Sequence, residues 1–522
     1  MERKWRVLAV VCIAVFMLLL DITVVNVALP YIEKDLNTSF TDLQWVVDAY
    51  ALTLAATILN AGTLGDLYGR KRVFLISIGL FTLASALCGA ANSPLFLIVA
   101  RGLQGIGGAG MFAVSLAIIA QEFHGRERGT AFGIWGATIG IAVAIGPLVG
   151  GALTTYAGWR WIFYVNVPIG IAVVAGGLYE LVESRNEEAG GFDVPGFLTL
   201  TPGLFALVIA LFRGNAWGWS SGRTIALFAA AAVLLTAFAF IELRRRSPML
   251  DFHLFRVPTF TGAQITAFTI SAGMFSMFLF LAIYLESVVG YTAVKTGVIF
   301  LPLSLTSFVV APLAGRLSTR FPVRWFLGGG LAVVGVSLLL MHGLTLSSTA
   351  SSLIPGFVVG GIGIGLVNAP LAATAVSVVE PQRAGMASGI NNTFRQVGIA
   401  TGIAALGAIF QSRIAAYLQH GTAFSSTPIR HIVNPDLAAQ VVASGQIRFD
   451  LLKPGSFPSQ VGPKILDHIN HQLLETNGSA FIAGLNDILL VAAVVLFVGA
   501  VLAFLLIREK DFVASGPAVA GH

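Results

Sequence analysis

AGTLGDLYGRKR, residues Ala61–Arg72, has an echo in AGRLSTRFPVRW, residues Ala314–Trp325. Gly62 aligns with Gly315, Leu64 with Leu317, Tyr68 with Phe321 and Lys71 with Arg324. Each copy closes an apolar run with a basic cluster. A second echo joins GIGGAG (Gly105–Gly110) to GGIGIG (Gly360–Gly365). In both cases the two copies lie eight apolar runs apart. The pattern predicts two six-helix halves separated by an inserted pair of helices. Paired halves around a central site are the plan of a membrane transporter.

Composition agrees. The chain has 522 residues, of which 56% are hydrophobic and 11% charged, and its mean hydropathy is +0.85. Soluble domains carry about 25% charged residues. Apolar runs of about 20 residues, enough to cross a hydrocarbon core of about 30 Å, recur along most of the length. Fourteen spans are expected: 7–30, 43–64, 73–91, 95–120, 129–153, 161–183, 194–213, 222–243, 259–288, 294–317, 325–345, 352–379, 386–412 and 479–507. The expected domains are a first bundle at 1–183, an inserted pair at 194–243, a second bundle at 259–507 and a tail at 508–522. The fold class is an all-α membrane protein.

Nineteen of the 31 Lys and Arg cluster on one face of this arrangement, including Arg70, Lys71 and Arg72. Lys and Arg accumulate in short cytoplasmic loops, so both termini are expected in the cytoplasm and the chain in the cytoplasmic membrane. The net charge of +6 then reflects topology, and no nucleic-acid partner is expected. Only Arg101 and Arg395 are expected to be buried, with Arg213 at a helix end on the opposite face. MERKWR before an apolar run resembles a signal peptide, but no small-residue cleavage site comes after it, so the run reads as an uncleaved first span. Cys12 and Cys88 are expected near opposite faces, too far apart for a disulfide.

Charges inside spans are costly, roughly 2.5 to 3.5 kcal/mol each on insertion scales, and mark functional positions by default. Asp21 interrupts FMLLLDITVVNVALP (Phe16–Pro30). At about 1.5 Å per helical residue, Asp21, Asp48 and Arg101 share one depth, roughly 10 Å below the outer edge. A buried ion pair that only pins helix packing is the competing reading. Arg101, Gly105 and Gly108 share a helix face, so a neighbouring helix can approach closely. Asn391, Arg395, Gly398 and Gly402 also share one face, which reads as cavity lining. Glu286, in YLESVVGY, is a further cavity candidate; a solvated acid paired with Lys295 is the alternative.

These motifs resemble the major facilitator superfamily. GTLGDLYGRKR is similar to its signature loop, RGLQGIGGAG (Arg101–Gly110) to its fourth-helix motif and GPLVGG (Gly146–Gly151) to the motif of its antiporters. LDITVVNVALP, WRWIFYVNVPIG (Trp159–Gly170) and NNTFRQVGIATGIA (Asn391–Ala404) resemble the fourteen-helix branch of the drug:proton antiporters. The resemblance implies that Asp21 is the proton-coupling carboxylate with Arg101 its basic neighbour, and Asp48 an accessory acid. It implies that Gly62, Asp66, Gly69 and Arg70 form a cytoplasmic latch in which Asp66 faces the N-terminus of the helix beginning near Met386. It implies that Gly146, Pro147 and Gly150 bend and pack span five. Two departures stand out: Ala142 replaces a usual glycine, and Glu286 a usual glutamine.

The expected function is a proton-coupled antiporter that exports amphipathic, often cationic compounds by alternating access. It needs membrane lipid, no cofactor beyond the coupling proton, and no metal. Rival readings are a lipid or cell-envelope precursor exporter, a proton-linked importer and a membrane-embedded enzyme. The long segment 413–478 is expected outside the membrane, with short helices in NPDLAAQVVASGQ and PKILDHINHQLLETNG. His468 and His471 within it lack a supporting Cys or carboxylate for a metal.

Overall fold

In a computed structural model the chain is described over residues 2–186, 191–245, 248–420, 442 and 463–512. The helices are α1 (Arg3–Leu36), α2 (Phe40–Tyr68), α3 (Arg70–Gly89), α4 (Pro94–Glu122), α5 (Gly125–Tyr156), α6 (Trp161–Tyr164), α7 (Asn166–Glu180), α8 (Val194–Trp217) and α9 (Gly222–Glu242). They continue as α10 (Pro258–Ile270), α11 (Ser276–Ile283), α12 (Ala293–Leu317), α13 (Val323–Leu340), α14 (Ile354–Ser377), α15 (Ala384–His420) and α16 (Pro463–Leu506). The short α6 joins α7 as one crossing. A π turn at Ser271–Phe275 joins α10 to α11, and another at Tyr284–Val288 succeeds α11. Among the described residues, thirteen crossings are long and apolar enough to span a membrane. The glycine-rich α5, with 32 residues, has the length for a further crossing.

Local chemistry sets the helix starts. Ser39, Ser93, Ser221 and Thr292 each cap a helix by accepting a backbone N–H from the first turn, satisfying donors that a helix N-terminus leaves free. Gly69 makes the sharp turn from α2 to α3 at φ +113°, a conformation that disfavours any side chain. The Glu183 carboxylate takes the first turn of α3, accepting from Lys71 N and Arg72 N at 3.1 and 3.2 Å.

The first six crossings pack among themselves, as do the last six. The two groups meet along two seams, α2 against α15 and α5 against α12. The repeat read from the sequence is visible at both. A Cβ on Gly62 would fall on the carbonyl oxygen of Gly385 across the first seam. A Cβ on Gly315, the residue that aligns with Gly62, would fall on the carbonyl oxygen of Gly129 across the second. Both contacts lie at the basic face and bring backbone against backbone there.

Helices α8 and α9 pair with each other, and α8 lies against α2 and α15. Leu52 and Ala55 of α2, Val208 and Leu211 of α8, and Ala400 and Ala404 of α15 form one buried cluster. The inserted pair therefore covers one seam and leaves the other uncovered.

Two expected boundaries move. Helices α15 and α16 extend to His420 and from Pro463, so residues 413–420 and 463–478 of the expected segment continue these helices, the second stretch being PKILDHINHQLLETNG. The expected helix in NPDLAAQVVASGQ lies almost wholly outside the described residues, as do the side chains of His468 and His471.

Candidate functional site

Asp21 sits on α1 at 2% exposure, enclosed by three donors from two other helices. Arg101 Nη1 donates at 2.5 Å, Gln104 Nε2 at 2.8 Å and Asn166 Nδ2 at 3.1 Å. Arg101 is itself held in place. Its Nη1 also donates to Gln104 Oε1 at 2.7 Å, its Nε donates to the Val46 carbonyl at 3.2 Å, and its guanidinium lies 4.3 Å from the Tyr50 ring centroid. Asn166 Nδ2 also donates to Ser85 Oγ at 3.1 Å, and Ser85 in turn donates to the Phe163 carbonyl at 2.9 Å. The carboxylate thus has a paired charge and further hydrogen bonds, the condition under which a buried ion pair persists.

Glycines make room for this arrangement. Gly105 admits the backbone of α2 at Tyr50, and Thr53 Oγ1 donates to the Gly102 carbonyl at 2.8 Å. Gly146 and Gly150 of α5 admit Thr23 and Val24, close to Asp21 on α1. The helix α5 runs without a break through Gly146, Pro147 and Gly150, so the antiporter-like stretch serves as a packing surface for the helix that carries Asp21.

Asp48 has a different partner. Its Oδ2 lies 2.9 Å from Arg213 Nη2 on α8. Arg213, expected at a helix end, is instead 5% exposed, donates to Gln44 Oε1 at 2.7 Å and lies 4.5 Å from the Trp45 ring centroid. Depth placed Asp48 level with Arg101, but the azimuth of α2 turns it toward the inserted pair. Asp48→Asn would leave Arg213 without its counter-charge. We expect a loss of roughly 1.5–3 kcal/mol, the scale of a hydrogen bond to a charged group, read as a lower thermal midpoint. The double change Asp48→Asn with Arg213→Gln should recover most of it.

The signature loop is closed. Asp66, 6% exposed, accepts from Gly385 N at 3.0 Å and Met386 N at 2.8 Å, so its carboxylate caps the N-terminus of α15, where the helix dipole favours negative charge. Arg70, also buried, pairs with Asp66 at 2.9 Å and donates to the Pro381 carbonyl at 2.7 Å. It is a further buried arginine beyond the two expected.

On α15, Asn391 Nδ2 donates to Gln264 Oε1 at 3.1 Å and Arg395 Nη1 to Asn368 Oδ1 at 3.2 Å. Gly398 and Gly402 rest on the backbone of Phe268 and Ala272. Asn368 lines a small cavity between the halves, with Ile139 and Gly140 of α5, Ser304 and Ser307 of α12, and Phe275 and Phe278. Its water-accessible space is about 20 Å³, room for a water but not for a drug-sized ligand. Glu286 is exposed in the π turn at Tyr284–Val288 and does not line this cavity. Lys295, its suggested partner, lies instead over the Tyr291 ring at 3.6 Å.

Gln104, Asn166, Ser85 and Tyr50 are the site residues that sequence reasoning missed. Gln104 had a signal, since it lies three residues after Arg101 and so shares its helix face.

The comparisons with known proteins agree with this architecture. Residues 11–403 match the Major Facilitator Superfamily. The chain is 37% identical over 488 residues, 93% of its length and 89% of the relative's, to the multidrug resistance protein Stp of Mycobacterium tuberculosis (strain CDC 1551 / Oshkosh). It is 37% identical over 431 residues to the puromycin resistance protein pur8 of Streptomyces alboniger, covering 81% of this chain and 86% of that one. Among solved structures, the human organic anion transporter MFSD10 (TETRAN) superposes with a TM-score of 0.62 at 14% identity, over 96% of this chain and all of that one. That likeness is one of fold.

Proposed function

Because this chain belongs to the Major Facilitator Superfamily, with drug and antibiotic resistance proteins among its relatives, we propose that it is a proton-coupled antiporter exporting small amphipathic compounds. The observation that carries the coupling is Asp21, a buried carboxylate whose one charged partner among the described residues is Arg101. A proton arriving at Asp21 removes its charge and with it the Coulombic hold on Arg101. The two protonation states therefore favour different packings of α1 against α4, and the coupling equals that difference. Asp48, paired in the same way with Arg213, joins the inserted pair to the first half and stands as an accessory acid.

The basic face is cytoplasmic in this reading. Both glycine contacts and the Asp66 latch are made there, so the conformation described is closed to the cytoplasm. Substrate would enter when these seams part and leave outward when they close. Glu286, a cavity candidate in the sequence, is exposed and outside the small cavity, so it is not assigned a part in selecting the compound.

Purified protein in liposomes with an imposed pH gradient tests the proposal, using puromycin as the first compound because a relative confers resistance to it. The expected result is uphill movement of compound that collapses when a protonophore dissipates the gradient. Movement indifferent to the gradient would remove proton coupling. Transfer of lipid headgroups between leaflets, with no drug movement, would establish the lipid-exporter reading instead.

A further inference from the structure

We infer that Arg395 is a binding site for the anionic oxygen group of an acidic substrate, a carboxylate or an acidic phenol. The inference rests on the export function proposed above and narrows its substrate class. Arg395 is 5% exposed. No carboxylate pairs with it among the described residues, and its one hydrogen bond goes to the neutral Asn368 Oδ1. Its Nε and Nη2 are buried without a partner. The other deeply buried arginines of the site and the latch each have an acid: Arg101 has Asp21, Arg70 has Asp66 and Arg213 has Asp48.

An unpaired buried ion costs several kcal/mol even after relaxation, and evolution could remove that cost with a glutamine. The charge is useful if a ligand completes it. Its neighbourhood suits an acid. Gln264 Nε2 is a second buried donor without a partner, on the helix that Asn391 contacts, and Ser307 Oγ is another in the cavity wall. Asn368 connects the guanidinium to that wall, where Phe275 and Phe278 offer an aromatic face. A planar guanidinium with two free N–H directions binds a carboxylate in a bidentate way. Asn368 and Ser307 line that cavity in this conformation, whereas Arg395 reaches it through Asn368 and Gln264 lies outside its wall; as the seams part it would widen toward them.

The test uses the full chain in nanodiscs of zwitterionic lipid, with 1-pyrenebutyric acid and its methyl ester as probes and tryptophan-to-pyrene energy transfer as readout. Wild type should bind the acid about tenfold more tightly than the ester, equivalent to about 1.4 kcal/mol. Arg395→Gln should abolish that preference while keeping ester affinity, and Arg395→Lys should keep most of it. Because Arg395→Gln removes an unpaired buried charge and can still donate to Asn368, its thermal midpoint should not fall. Displacement of the acid by lysophosphatidylglycerol but not lysophosphatidylcholine would assign the anion to a lipid headgroup; displacement by neither assigns it to a soluble compound. Equal binding of acid and ester, binding of neither, or a preference that survives Arg395→Gln overturns the inference. Gradient-driven puromycin export by the same preparation would then leave the export reading standing, whereas failure of all transport would remove that reading itself.

Discussion

Asp21→Asn should abolish pH-driven uphill export in liposomes while substrate still binds. The two side chains are nearly the same size, but the amide never ionises. It also presents one acceptor oxygen where the carboxylate presents two, and the site offers three donors, Arg101, Gln104 and Asn166. The Asn Nδ2 would face a donor, and Arg101 would keep a charge with no partner. Removing one member of a buried pair costs roughly 3–5 kcal/mol, so the variant should melt at a lower temperature as well. The decisive readouts are functional. Compound should move only down its own gradient, and its binding should no longer release protons. Uphill export retained by Asp21→Asn would falsify the coupling role and leave Asp21 as a packing residue.

The second large effect is expected at Gly62. In Gly62→Val a Cβ would occupy the place of the Gly385 carbonyl oxygen, and no rotamer relieves an overlap at Cβ. The α2–α15 seam then cannot close at the basic face. Folding should survive, because the conflict exists only in the closed conformation. Transport should fall to background, and spin labels at the exposed Tyr68 and Glu380 positions should report a separation that no longer shortens. Gly315→Val, facing Gly129 on the other seam, should have the same effect, since the repeat makes the two contacts equivalent. Normal export by a well-folded Gly62→Val would show that the glycine contact is not needed for closure.

The sequence revealed the crossings because length and hydropathy are local properties. Asp21, Arg101 and Arg395 were legible for a related reason: charge in an apolar run is rare and expensive. Partners across helices were harder. Asn166 reaches Asp21 from α7, and nothing in WRWIFYVNVPIG specifies which helix that amide meets. Arg213 was placed at a helix end by its distance from the apolar centre of its run, yet α8 continues to Trp217 and carries it inward against Asp48. The two π turns were invisible, since one extra residue per turn rotates the azimuth of every later side chain in the crossing without changing hydropathy. Glu286 falls in the second of them, one reason that its direction could not be read from helical spacing.

Helix α8 touches both halves toward the face opposite the basic one. Arg213 holds Asp48 of α2 at 2.9 Å, and Asn215 Nδ2 donates to the Ala404 carbonyl of α15 at 3.2 Å. A rocking motion that draws α2 away from α15 at that level cannot keep both attachments. One of them has to release in each cycle, and which one decides whether the insertion travels with the first half or the second. In such a cycle the insertion would be a third body, and the strength of a single arginine–aspartate contact would set which half it stays with.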